Sequence, residues 1–115
     1  MRFIGEVMQM STLLTLKKEA GNVQTLTIDE KNNRAFLDGE ACDLTQQEFY
    51  LLQELVQHAD TPVSREQLLR EAWGYQSIGE TRTVDVHIQR LRRKLGFACI
   101  ETVYRFGYCL RALPA

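Results

Sequence analysis

The strongest constraint on the fold is a change in the spacing of apolar residues, which occurs twice along the chain. Up to residue 44 the apolar residues lie in short pieces of β-forming composition, such as residues 13–16 and 23–28. Over residues 45–95 they recur three or four positions apart, as in helices that bury one face. Two further β-like pieces, 100–104 and 108–111, end the pattern. This order predicts an α+β domain.

A tight turn organises the first part of the chain. Asp38 and Gly39 lie between two short β-like pieces, residues 34–37 and 40–43. An Asp-Gly pair in this place is a strong hairpin signal, because both central positions of the turn need a positive φ. We therefore expect an antiparallel N-terminal sheet of three or four strands.

Capping residues indicate where the helices begin. Residues 45–48 and 64–67 both fit the capping box, in which two side chains three positions apart each bind the other residue's backbone N–H. A helix is expected from each box, the first running to about Ala59. The third helix is predicted over residues 82–95, with Glu80 or Thr81 as its cap.

Sheet, three helices and a C-terminal hairpin, with a short loop between the last two helices, is the order of a winged helix-turn-helix. We expect this domain to span residues 13–113, and residues 1–12 to be a tail or linker remnant. With 115 residues in all, the chain is long enough to bury a core without a metal or a disulfide.

Several classes of protein are excluded by what the sequence lacks. Cys42, Cys99 and Cys109 have no CxxC spacing, and a turn at residues 105–107 would leave Cys109 opposite Val103 or Tyr104 and out of reach of Cys99. We therefore expect no disulfide, no metal site and a reducing cytoplasm. The sequence shows no catalytic Ser/His/Asp or Cys/His grouping and no phosphate-binding glycine loop. We expect no enzyme activity, no cofactor, no secretory signal and no contact with a membrane.

The charges are distributed unevenly along the chain. Residues 1–80 hold seven Lys and Arg against thirteen Asp and Glu, whereas residues 81–115 hold seven against two. The net charge of −1 thus conceals an acidic body and a basic C-terminal third. Such an asymmetry indicates a negatively charged partner that is met on one side only.

The third predicted helix divides into two faces at about 100° per residue. One face is apolar and is expected to be buried: Val84, Ile88, Leu91 and Leu95. The opposite face holds three arginines, one amide and one valine: Arg82, Val86, Gln89, Arg90 and Arg93. A helix fits the major groove of DNA, where Arg pairs with guanine, Gln with adenine and an apolar side chain with the thymine methyl. The alternative is an ordinary solvated face, but charges of nearly one sign beside a basic hairpin argue against it.

At this point the sequence resembles a known family, the effector domains of OmpR/PhoB-type response regulators. The similarity covers about residues 13–111 and is most specific in the third helix, residues 82–95. Residues 64–69 with Trp73 and Gly74 resemble the second helix of that family, and residues 100–103 with Gly107 and Tyr108 resemble its wing.

The resemblance implies binding of double-stranded DNA and transcription regulation at bacterial promoters. We assign base reading to Arg90, with Val86 and Gln89. We assign contacts with the DNA backbone to six further residues: Arg82, Thr83, His87, Arg93, Trp73 and Thr102. The wing, residues 100–111, is expected on the minor groove or the backbone of the DNA; in it we assign Tyr104 and Arg105 to DNA and place Tyr108 near the backbone or the core. The family's Arg-Gly tip is replaced here by Tyr104 and Arg105, which displaces the cation by one residue.

Two further partners are implied by the resemblance. The loop after the second helix lies where such domains contact RNA polymerase, which points to Trp73, Gly74, Ile78 and Glu80. Such domains also bind direct repeats as head-to-tail homodimers. The sequence contains no receiver domain with a phosphoacceptor Asp, so we expect either an excised effector domain or a regulator that works without one. The competing hypothesis is a winged helix used as a protein-interaction module, which binds RNA polymerase or a partner regulator.

Overall fold

The computed structural model describes residues 11–17, 23–74, 80–96 and 99–112. Within these ranges lie three helices, α1 (Gln46–Gln57), α2 (Arg65–Trp73) and α3 (Arg82–Leu95). Its strands are β1 (Ser11–Lys17), β2 (Val23–Asp29), β3 (Arg34–Leu37), β4 (Glu40–Ala41), β5 (Val63–Ser64), β6 (Ile100–Val103) and β7 (Gly107–Leu110). The predicted winged helix-turn-helix order is confirmed.

The N-terminal sheet is antiparallel and has the order β1-β2-β3-β4. Asp38 and Gly39 have φ values of 50° and 87°, so the predicted tight turn joins β3 to β4. β1 begins at Ser11, two residues before the predicted start of the domain. The tail predicted over residues 1–12 lies outside the described residues up to position 10.

The first predicted capping box is confirmed at the start of α1. The Thr45 hydroxyl accepts a hydrogen bond from the Glu48 N–H at 3.2 Å, and the Glu48 carboxylate accepts one from the Thr45 N–H at 2.9 Å. α1 ends at Gln57, slightly before the predicted Ala59, and Asp60 then takes a positive φ of 67°.

The second predicted capping box is only half formed. The Ser64 hydroxyl accepts a bond from the Gln67 N–H at 3.1 Å, but the Gln67 amide donates to Glu54 of α1 at 2.6 Å. A buried carboxylate forms a charge-assisted bond that is stronger than a bond between neutral groups, which explains the choice of partner. The Gln67 side chain therefore joins α2 to α1 and does not complete the cap that the sequence pattern predicted.

Thr81 is the residue that precedes α3, as one of the two predicted caps, but it does not cap the helix with its side chain. Thr81 has helical dihedral angles (φ −67°, ψ −17°), and its side chain makes no cap bond. The first turn is closed by backbone groups instead, because Thr83 N–H donates to Glu80 O at 3.1 Å and Val84 N–H to Thr81 O at 3.0 Å. A capping side chain reaches the next N–H groups from an extended backbone conformation, which Thr81 does not have.

The wing contains a strand that the sequence did not predict. β5 pairs with β7 and forms a three-stranded sheet of order β5-β7-β6. The turn of the wing lies one residue earlier than the predicted residues 105–107. Gly107 already pairs with Val103, and Cys109 lies opposite Glu101. All three cysteines are free, as expected.

The two sheets and the three helices share one core. Its largest fully buried side chain is Phe49 of α1, in a cluster with leucines and isoleucines from every helix and from β2, β6 and β7. A single bridge between Leu16 and Ala112 joins β1 to the segment after the wing. Among the described residues, no helix is long and apolar enough to cross a membrane.

Candidate nucleic-acid interface

The two faces of α3 lie as the sequence predicts. Val84, Ile88, Leu91 and Leu95 are buried in the core. The opposite face is exposed and holds the five predicted residues: Arg82, Val86, Gln89, Arg90 and Arg93. The helical face that the sequence assigned to DNA is therefore turned to solvent.

The basic residues of α3 separate into two groups. Arg92 donates to Ile100 O and to the Thr102 hydroxyl, both at 2.8 Å, and so ties α3 to the wing. Lys94 donates to Glu48 and to Asp43 O, both at 2.7 Å, and so ties α3 to α1. These two cations have structural partners, and the sequence pattern did not distinguish them from their neighbours.

Three arginines form the second group. Within the described parts of the chain, Arg82, Arg90 and Arg93 make no hydrogen bond and no ion pair. Val86 is four residues from both Arg82 and Arg90, so the three lie in one row on the helix surface. The Val86 side chain is 45% exposed in the middle of that row. The face thus offers unpaired guanidinium donors and one methyl-bearing side chain to a partner.

His87 is held beside this row by two contacts. Its Nδ1 donates to Thr83 O at 2.9 Å, because a carbonyl oxygen can only accept. Its ring meets the Trp73 ring edge to face, with 4.8 Å between centroids. A phosphate contact by His87 would use Nε2 and would require the doubly protonated ring.

Asp85 joins α3 to both neighbouring elements. One of its carboxylate oxygens accepts from Arg65 Nε of α2 at 2.8 Å and from the Tyr108 hydroxyl of β7 at 2.6 Å. Both partners lie far away in the chain, 20 and 23 positions from Asp85. The sequence placed Tyr108 near either the DNA backbone or the core. Tyr108 is only 4% exposed, so it lies in the core.

Replacing Tyr108 with Phe should destabilise the domain by about 1.5–3 kcal/mol, because it removes a hydrogen bond to a charged group. Burial raises the pKa of Tyr108 above its ordinary value of 10.0, and the Asp85 carboxylate raises it further. This stabilisation is fully present below about pH 10 and is lost as the pH rises through the folded-state pKa. Urea denaturation at pH 7 and pH 11 should show a smaller difference between the two proteins at pH 11. An equal difference at both values would contradict the assignment.

The tip of the wing is exposed. Tyr104 is 80% and Phe106 is 47% exposed, and the Arg105 guanidinium lies 5.1 Å from the centre of the Tyr104 ring. Arg105 has a φ of 58°, in the left-handed region. Thr102 is exposed beside the tip and accepts from Arg92, which leaves its hydroxyl proton free to donate elsewhere.

The predicted polymerase-contact loop is described only at its ends. Trp73 is half-buried at the end of α2, and Gly74 and Glu80 are exposed. Ile78, the remaining residue of that prediction, lies outside the described residues.

A sequence profile of the family described as "Transcriptional regulatory protein, C terminal" matches residues 39–110. The match covers more than half of the chain, and the chain therefore belongs to this family. Among its relatives, the uncharacterized transcriptional regulatory protein YclJ of Bacillus subtilis is 47% identical over 89 residues. That stretch is 74% of this chain but only 39% of YclJ. The chain thus spans less than half the length of such relatives.

Solved structures place the fold in the same family. The DNA-binding domain of CpxR from E. coli is 33% identical, with a TM-score of 0.70 over 87% of this chain and 98% of that domain. The RstA DNA-binding domain of Klebsiella pneumoniae, solved in complex with the RstA box, is 35% identical, with a TM-score of 0.67. The match covers 84% of this chain and 96% of the RstA chain.

Proposed function

We propose that this domain regulates transcription by binding specific sequences in double-stranded DNA, with α3 in the major groove. The observation that carries the proposal is the exposed face of α3, where Val86 lies between Arg82 and Arg90 in one row and Arg93 is a third unpaired arginine. Unpaired guanidinium groups on one face favour a polyanion, and an exposed valine among them has no use in binding phosphate alone. A relative, the RstA DNA-binding domain, has been solved in complex with the RstA box, which supports DNA as the partner.

Some residues of α3 would contact bases and others would contact phosphates. Arg90 would donate to guanine O6 and N7, Gln89 would pair with adenine, and Val86 would contact a thymine methyl. Contacts with phosphates would position the helix without reading sequence. We assign those contacts to Arg82, Thr83, His87, Arg93, Trp73 and Thr102, with Tyr104 and Arg105 of the wing.

Further features of the proposal concern the complete regulator. Head-to-tail homodimers on direct repeats and contact with RNA polymerase through the loop after α2 are both proposed by analogy with the family. We also propose that the domain acts in the bacterial cytoplasm and has no catalytic activity. The cysteines support the last point, because burial raises the pKa of Cys99 to about 11 and leaves little reactive thiolate at neutral pH.

Replacing Arg90 with Ala tests the assignment of base reading. We expect specific binding to weaken by about 1–3 kcal/mol and the preference for guanine at one position to relax. Arg93→Ala is the matched control, since it removes the same charge from the same face. It should weaken binding to all duplexes alike and lower the salt dependence of log K by about one. Fluorescence anisotropy over a salt series, with a selected and a scrambled duplex, measures both effects.

The competing proposal of a protein-interaction module makes the opposite prediction. Arg90→Ala would then leave the essential binding intact, and substitutions in the loop after α2 would abolish it. Equal effects of Arg90→Ala and Arg93→Ala on both duplexes would indicate that only the phosphate contacts matter.

A further inference from the structure

The wing tip exposes two aromatic side chains: Tyr104, which the DNA-binding assignment uses only for contact with phosphate, and Phe106, which it does not use. Among the described residues, five large apolar side chains are exposed, and two of them, Tyr104 and Phe106, lie at this tip. One face of the Tyr104 ring carries the Arg105 guanidinium. With 80% of the residue exposed, the opposite ring face is open to a partner.

The tip is held rigidly by its backbone. Phe106 N–H donates to Val103 O at 3.0 Å, which closes the turn. Phe106 O accepts from the Arg65 N–H at 3.1 Å, which fastens the turn to the start of α2. Arg105 is kept at a positive φ of 58°, a conformation that costs a non-glycine residue energy and persists only where the surroundings enforce it. The two rings are therefore presented on a fixed support.

The strand that leads to the tip is fastened to α3. Arg92 of α3 binds Thr102, and Tyr104 follows two residues later, about 7 Å further along the chain at the rise of a strand. With α3 in the major groove, an element fastened to its side lies over the adjacent phosphates and minor groove. The Arg105 cation suits that site, because a narrow minor groove has a strongly negative potential.

We propose that Tyr104 and Phe106 form an apolar wedge that enters the minor groove and partly unstacks one base step of the bound DNA. This proposal rests on the proposed function. Apolar side chains that unstack a step kink the duplex, and pyrimidine–purine steps yield most easily. The wing therefore adds a preference for a TA or CA step at a fixed distance from the guanine that Arg90 reads.

The test compares four proteins on a duplex that carries the selected half-site and a TA step: wild type, Tyr104→Ala, Phe106→Ala and Arg105→Ala. Affinity is measured by anisotropy over a salt series, and bending by energy transfer between dyes at the two ends. We expect Tyr104→Ala to weaken binding about five- to a hundredfold, as for the loss of a stacked aromatic, and to remove most of the bend. The slope of log K against log salt concentration should be the same for Tyr104→Ala as for the wild type. Arg105→Ala should reduce that slope by about one, the loss of one phosphate contact.

Two additional measurements make the outcome decisive. Tyr104→Phe keeps the ring and should retain the affinity and the bend. If Tyr104 acted instead through a hydrogen bond from its hydroxyl to phosphate, this variant would lose affinity. Replacing the TA step with a GC step should weaken the wild type but not Tyr104→Ala. The proposal is overturned if both alanine variants bind and bend the duplex as the wild type does, or if they lose only cooperativity between copies. Absence of DNA binding by the wild type would instead refute the proposed function itself.

Discussion

Gly107→Ala should destabilise the domain by about 3 kcal/mol or more, which is the upper end of the range for overpacked positions. A Cβ at this position would lie 1.9 Å from Val63 O and 2.9 Å from Ser64 Cα. Both atoms belong to the backbone of β5, so no side chain can rotate away. The strand β5 would have to separate from β7, and the wing would lose its attachment to α2. Urea denaturation followed by circular dichroism measures the loss.

A second glycine provides the control for this prediction. Gly39 lies in the turn between β3 and β4, and no atom is within 4 Å of the place that its Cβ would occupy. Gly39→Asn should cost less than about 1 kcal/mol, because Asn tolerates a positive φ. If Gly107→Ala were as stable as Gly39→Asn, the close pairing of β5 with β7 would be contradicted.

Lys94→Met should destabilise the domain by about 2–3 kcal/mol, because it leaves the Glu48 carboxylate buried without its cation. Glu48 is 1% exposed, and Lys94 is its only ion-pair partner among the described residues. The 37% exposure of the Lys94 side chain lets water compensate in part, which keeps the estimate below the largest values known for buried pairs. The effect is measured by urea denaturation at pH 7.

The pH dependence identifies the cause of this loss. Burial raises the pKa of Glu48, but the bonds from Lys94 and Thr45 lower it by more, so the net pKa lies below the ordinary 4.5. The stabilisation is therefore present above pH 4.5 and is lost as the pH falls through the folded-state pKa. Without the cation the pKa should rise, so the difference between Lys94→Met and the wild type should narrow toward pH 3.

A double variant separates the effect of the unpaired Glu48 carboxylate from the other effects of losing Lys94, such as its packing and its charge. Glu48→Gln combined with Lys94→Met removes both charges, and it should recover most of the stability that Lys94→Met alone loses. A double variant as unstable as Lys94→Met, with no dependence on pH, would show that the ion pair contributes nothing.

The elements predicted correctly depend on local patterns. The faces of α3, the capping box at Thr45 and the turn at Asp38 involve residues within a few positions of each other. β5 could not be predicted, because two residues carry no periodicity and the strand exists only through pairing with β7. The cap of α3 failed for a related reason, since the backbone satisfied the N–H groups that a side chain was expected to bind.

The candidate site shows the same limit. The spacing of residues identifies which side chains of α3 face away from the core, but it treats all of its cations alike. Lys94 meets Glu48 across 46 positions, and Asp85 meets Tyr108 across 23. Only the fold separates the cations that hold α3 in place from those that remain available. An exposed β-branched residue among arginines was the sequence signal that pointed to base reading rather than to binding of phosphates alone.

The central claim is that the exposed row of α3 reads DNA sequence through Arg90. Selection of bound duplexes from a random pool at near-physiological salt, with sequencing, tests it when the wild type and Arg90→Ala are compared in parallel. The account predicts a guanine-containing half-site for the wild type, repeated about one helical turn apart where two copies bind. For Arg90→Ala it predicts the same site with that guanine no longer enriched. Identical enriched sites from the two proteins, or binding without any enrichment, would contradict the claim.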